Sequence, residues 1–114
     1  MPQELKVIAD FYDFMLWLIR HTEKFPRHHR YSLGLAMENR LQRILELLLR
    51  GKYSKQKAGF LNDANIALEV LRFQVRLATD LGALPVKSHG HAAEVMQRIG
   101  AQIGGWLASK AGGP

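Results

Sequence analysis

The sequence predicts an all-α protein, built as an antiparallel up-down-up-down four-helix bundle, and three observations lead there. Apolar residues recur at three- and four-residue steps through four long segments, the period of an α-helix with one buried stripe. Short breaks containing proline or glycine separate the segments, at Phe25-Pro26, at Gly51 and over 82–88, which includes Pro85. Alternating strand patterns and Asn-Gly or Asp-Gly hairpin signals do not occur. Four helices of ~20 residues joined by short connections pack most simply as sequential antiparallel neighbours. At 114 residues the chain reads as one domain over 1–114, long enough to remove roughly two thirds of its unfolded surface from water.

The first helix is expected over 4–24, with Leu5, Ile8, Tyr12, Met15 and Ile19 along the inward stripe and Phe11, Phe14 and Leu18 widening it. It ends at Phe25-Pro26, because a residue before proline is pushed out of the α region and proline lacks an amide donor. Arg27-His28-His29-Arg30 then reads as a basic loop. The second helix, 32–50, turns Met37, Leu41, Ile44 and Leu48 inward, flanked by Arg40 and Arg43, and stops at Gly51. In the third, 54–81, Leu61, Ala64, Leu68, Leu71, Val75 and Ala78 form a seam of alternating three- and four-residue spacing. The fourth, 89–110, buries Val95, Ile99, Ile103 and Trp106 and leaves 111–114 as a frayed end.

More large apolar side chains are present than four single stripes can hide: Phe11, Phe14, Trp17, Leu18, Leu47, Leu49, Val70, Phe73 and Leu77. Burying one Phe or Leu contributes about 1.5–3 kcal/mol, so some of these are expected between the subunits of a homo-oligomer. No segment has the length and apolarity of a membrane span or a secretory leader, and cysteine is absent, so a soluble cytoplasmic protein without disulfides or thiolate metal sites is expected.

Charge is the most local property of this chain. Between Arg20 and Lys57 lie ten Lys or Arg residues against three acids; outside that block the balance is six to seven, so the whole net charge of +6 comes from one stretch. Charge runs are commonly solvated faces, but interleaving acids are scarce here, with only Glu38 and Glu46 between Arg27 and Lys57. Arg27, Arg30, Arg40, Arg43, Arg50, Lys52, Lys55 and Lys57 are therefore candidate contacts to a polyanion. RNA or DNA is the first to test, since phosphates reward clustered cations by releasing counterions. Arg72 and Arg76, one turn apart within an apolar run, have two readings. They pair with Glu69 and Asp80, or their guanidinium forks take a phosphate or a partner's carboxylate. No metal and no cofactor are expected: His28-His29 has no acid or cysteine beside it, and His91 with Glu94 is a two-ligand fragment. No nucleophile has a local base, so the chain is not expected to be an enzyme. Gly100, Gly104 and Gly105 each cost a helix about 1 kcal/mol relative to Ala; with Trp106 they read as a flat strip where another helix packs closely.

Several stretches together resemble a known family: Lys24-Phe25-Pro26-Arg27, the run Ala67-Leu68-Glu69-Val70-Leu71-Arg72-Phe73 continued by Arg76-Leu77-Ala78-Thr79-Asp80-Leu81, and Ile99-Gly100 followed by Ile103-Gly104-Gly105-Trp106-Leu107. They are similar to the accessory variability determinant (Avd) proteins of diversity-generating retroelements, from the first helix to Leu107. Related bundle proteins encoded within ribosomal RNA intervening sequences share much of the pattern. The Avd resemblance implies a four-helix bundle assembling as a ring-like homopentamer that binds the retroelement's reverse transcriptase and RNA or DNA and does no chemistry itself. In such systems the polymerase copies a template RNA with errors at adenines, and the variant cDNA replaces part of a target gene. Arg72 and Arg76 fall on basic positions of the family's third helix, which makes them first choices for polymerase or nucleic-acid contact, and Arg27 matches the basic residue after the loop proline. Two alternatives remain: an RNA-binding bundle of the intervening-sequence type, and a helical protein-interaction scaffold.

Overall fold

The computed structural model describes residues 3–111, with side chains described over 6–109. The elements are α1 (Gln3–Thr22), a single turn α2 (Arg27–His29), a π-helical turn (Arg30–Gly34), α3 (Leu35–Tyr53), α4 (Lys57–Asp80) and α5 (Val86–Ala111), with no strand among the described residues. The four long helices form a bundle. α1 packs on α3 and α5, and α4 packs on the same two, which are the neighbours that an up-down-up-down order requires. The result is a rod of 50 × 22 × 21 Å.

Pro26 and Pro85 each stand at the start of a helix. Pro26, at φ −51°, is the N-cap of α2, and its carbonyl accepts from the amides of His29 (2.8 Å) and Arg30 (2.9 Å). The segment 27–30, expected as a loop, is thus helical and leads through the π turn directly into α3. The Ser32 hydroxyl lies 3.2 Å from the His28 carbonyl and 3.4 Å from that of His29, supplying a partner where the wider turn disturbs the ladder. Likewise α5 begins at Val86, immediately after Pro85 and earlier than the expected 89. A proline breaks the helix before it but suits the entry to the next, where its missing amide costs nothing.

The other ends have local causes. α1 closes at Thr22 instead of 24, and the amides of Lys24 and Phe25 fold back to the carbonyls of His21 (3.0 Å) and Thr22 (3.1 Å) while Phe25 plugs the core. α3 passes through Gly51, the expected stop, to Tyr53. Gly51 serves close approach instead: a Cβ there would stand 2.9 Å from Leu61 Cδ2. Lys57 Nζ donates to the carbonyls of Gly51 (3.0 Å) and Lys52 (2.8 Å), which satisfies two of the last carbonyls of α3 and opposes the negative end of its dipole. α4 therefore starts at Lys57, later than the expected 54, and ends at Asp80. Gly82, at φ +77°, then reverses the chain, with Ala83 donating to the Ala78 carbonyl at 2.8 Å.

The core follows the expected stripes on three helices. Met37, Leu41, Ile44 and Leu48, the whole Leu61–Ala78 seam, and Ile99, Ile103 and Trp106 are buried. On α5, Ala92 and Met96 are buried while Val95 is only half-buried. α1 is the exception. Its buried face is Val7, Phe11, Phe14 and Leu18, whereas Tyr12 is 54% exposed and Ile8, Met15 and Ile19 are half-buried; the side chain of Leu5 lies outside the described residues. Two apolar stripes lie side by side on this helix, about 100° apart at 3.6 residues per turn, and the one through Phe11 and Phe14, not the expected one, faces inward. Phe11, Phe14, Leu18 and Leu47, expected in part between subunits, belong to the core. α5 extends to Ala111, so that residue is helical instead of frayed; the rest of the expected frayed end, 112–114, lies outside the described residues.

Candidate nucleic-acid and partner surface

The expected cations fall into two groups on different faces. The first follows α2, the π turn, α3 and the α3–α4 connection, a path of roughly 40 Å at ~1.5 Å per helical residue. Arg27 and Arg30 stand at its start, Arg40 and Arg43 in the middle, and Arg50, Lys52, Lys55 and Lys57 at its far end. Among the described residues, no carboxylate comes within ion-pair distance of Arg27, Arg30, Arg40, Lys52 or Lys55. Glu46 alone answers this group. Its Oε2 accepts from Arg50 Nε at 2.8 Å and Arg43 Nη1 at 2.9 Å, and the Arg50 hydrogen bond, followed by the Arg50 charge, holds its carboxyl below the usual glutamate range. One acid shared by two guanidiniums leaves a net positive charge there.

Arg40 and Arg43 line a groove of about 340 Å³ between α3 and α4 with Ala36, Asn39 and Gln74. Arg40 Nε and Gln74 Oε1 are buried without a hydrogen-bond partner among the described residues. The groove thus holds donors in excess and no carboxylate, which suits an anion or bridging water.

The second group, Arg72 and Arg76, lies on α4 toward α5, across an exposed apolar stripe from the first. Its two members behave differently. Arg72 Nη2 donates to the Met96 carbonyl of α5 at 3.2 Å, and a Cβ at Gly100 would meet that nitrogen at 2.8 Å. Gly100 is the place where the guanidinium lies down on α5. The Glu69 contact is loose, at 3.8 Å. Arg76 projects into solvent with 67% of its side chain exposed, and Asp80 is 3.9 Å away, so neither pair is a tight neutralisation.

The remaining glycines differ from Gly100. Gly104 and Gly105 are exposed, and a Cβ on Gly104 would meet nothing within 4 Å; Gly100, by contrast, is closely covered, by the Arg72 side chain and not by a helix. Trp106 is buried beside Gly51.

Sequence reasoning missed three features. Tyr31 (69% exposed) and Tyr53 (78%) each carry a cation over the ring, Arg30 at 5.5 Å and Lys52 at 4.9 Å from the centroids; the Arg-Tyr and Lys-Tyr dipeptides were the available signal. Between α1 and α5, Trp17 lies 4.1 Å from His21 and 4.8 Å from His91, centroid to centroid, in a groove of about 540 Å³ that includes Lys6, Asp10 and Arg98. No sequence pattern joins Trp17 to His91. Third, the buried Thr22 hydroxyl ties α1 to α3, 2.7 Å from Glu38 Oε2. No group of three or more metal-ligating side chains occurs among the described residues, and none of their helices is long and apolar enough to cross a membrane.

These observations define a small basic helical bundle with an uncompensated cationic strip. The family model described as bAvd-like matches residues 6–110, nearly the whole chain, and the protein belongs to this bAvd-like family. No curated protein matches.

Proposed function

We propose that the protein is a noncatalytic accessory of a diversity-generating retroelement, binding the reverse transcriptase together with RNA or DNA and so supporting mutagenic retrohoming. The family match favours this reading over the intervening-sequence alternative and over a pure scaffold. The observation that carries nucleic-acid binding is the strip of α3 and its flanking turns, where Arg27, Arg40, Lys52 and Lys55 have no acidic partner among the described residues; Arg30 likewise has none among them but shares a groove with Glu23 and Glu38. The solvent-facing Arg76 is the proposed polymerase contact, with Arg72 beside it.

Self-association, with a pentameric ring as the expected form, is supported by the outer face of α4. Ile66, Val70, Phe73 and Leu77 lie 36–67% exposed in a continuous stripe opposite the buried seam. A ring would repeat the α3 strip around its axis, and the fields would add. The deciding test is co-expression with the partner polymerase. Wild type is expected in a stoichiometric complex at low and moderate salt, and Arg76→Ala in a weaker one; failure of wild type to co-purify would reject the accessory role.

A further inference from the structure

We propose that Tyr53 is a base-stacking platform, and that the α3–α4 turn around it selects single-stranded over double-stranded nucleic acid. The inference deepens the nucleic-acid reading above and rests on it.

Tyr53 occupies the last position of α3, and 78% of it is exposed. An aromatic ring so placed adds nothing to the core. Lys52 Nζ lies 4.9 Å from the ring centroid, a cation–π geometry that steadies the ring and sets a phosphate-seeking charge against a π-face. Arg50, Lys55 and Lys57 surround it in sequence, and no acid occurs between Glu46 and Asp63.

The turn is also braced. Ser54 donates its amide to the Arg50 carbonyl at 2.9 Å, Gln56 donates to the Ser54 hydroxyl at 3.0 Å, and Lys57 clasps two carbonyls at the end of α3. A pre-ordered platform loses less freedom on binding.

This arrangement matches what unpaired bases need: a ring on which to stack and cations along the strand for phosphates. A duplex hides its base faces and can use only the charges. Tyr31 is the internal control. Its ring also carries a cation, but its groove includes Glu23 and Glu38, and carboxylates repel a phosphate strand. Equal exposure is therefore not equal function, and the assignment goes to Tyr53 alone.

The test is fluorescence anisotropy of the full chain with labelled oligo-dT, oligo-U and a duplex of the same length, from about 50 to 200 mM salt, the range over which phosphate contacts lose most affinity. Wild type is expected to prefer the single strands. Tyr53→Ala should lose roughly 5- to 150-fold on single strands, the range for one stacked base, and change little on duplex. Its salt slope should stay as in wild type because no charge is removed, and Tyr53→Phe should restore binding. Lys52→Gln/Lys55→Gln should instead flatten the slope. Single-strand binding by Tyr53→Ala equal to wild type, with helicity unchanged, would overturn the stacking role while the charge variant still upheld nucleic-acid binding. No binding by wild type at any salt would overturn both.

Discussion

Arginines on α3 and arginines on α4 occupy similar sequence settings, each beside an apolar stripe, yet the bundle uses them differently. On α3, Arg40 has no carboxylate partner and Arg43 shares one with Arg50. On α4, Arg72 lies across Gly100 and bonds a main-chain carbonyl of α5, so part of its capacity goes to holding two helices together. Arg76, one turn on, projects into solvent with a loose 3.9 Å contact to Asp80. Whether a basic residue is a contact or a clasp depends on what the neighbouring helix presents opposite it. A glycine under the guanidinium makes a clasp.

The largest expected effects separate the two faces of α4. Leu71→Ala, at a fully buried seam position, should lose about 2–5 kcal/mol in denaturant unfolding. Phe73→Ser, on the outer stripe, should leave the helical signal intact and lower the oligomeric mass in light scattering. Equal destabilisation by both would contradict the division between core and assembly faces. Next comes the clasp. Arg72→Ala should cost about 1–2 kcal/mol through the lost hydrogen bond and cover, against less than about 0.5 kcal/mol for Arg76→Ala. Matching unfolding midpoints for the two variants would mean that the Arg72 geometry carries no stability.

A smaller effect concerns acid. The Glu46 carboxyl is held below its ordinary value of 4.5 by Arg50 and then Arg43. A carboxylate with a depressed folded pKa contributes stability above its unfolded pKa and loses it as pH falls through the folded one. Stability should therefore decline slightly below about pH 4.5, and Glu46→Gln should flatten that decline in pH-dependent thermal melts. Because about half of the Glu46 side chain, 49%, is exposed to solvent, the change should be the smallest in this series.

How much of this was legible in the sequence differs by helix. α3 and α4 each carry one dominant apolar stripe, and the residues of those stripes could be read directly, though Leu47 beside the α3 stripe, expected in part between subunits, is buried as well. α1 carries two stripes within about 100°, and only the packing of α3 and α5 against it selects Phe11 and Phe14 over Tyr12. Pro26 and Pro85 were legible as breaks but not as starts, because the same fixed φ serves both ends. For the cationic strip, scarcity of acids was visible in the chain. The split between Arg72 and Arg76 was not, since it depends on Gly100, twenty-eight positions after Arg72 in sequence. The exposure of Tyr53 was hidden for a similar reason: aromatic residues are core by default, and only the geometry of the turn leaves this one in water.

The most direct measurement of the central claim is the slope of log K against log salt for single-stranded RNA. It should compare wild type with Arg40→Gln/Arg43→Gln/Lys52→Gln/Lys55→Gln and with Arg72→Gln/Arg76→Gln. Each phosphate contact removed should reduce the slope by about 0.7 for single strands, so the α3 variant is expected to flatten it by roughly 2–3 while the α4 variant stays near wild type. A slope unchanged in the α3 variant, or flattened only in the α4 variant, would contradict the assignment of nucleic-acid binding to the α3 strip.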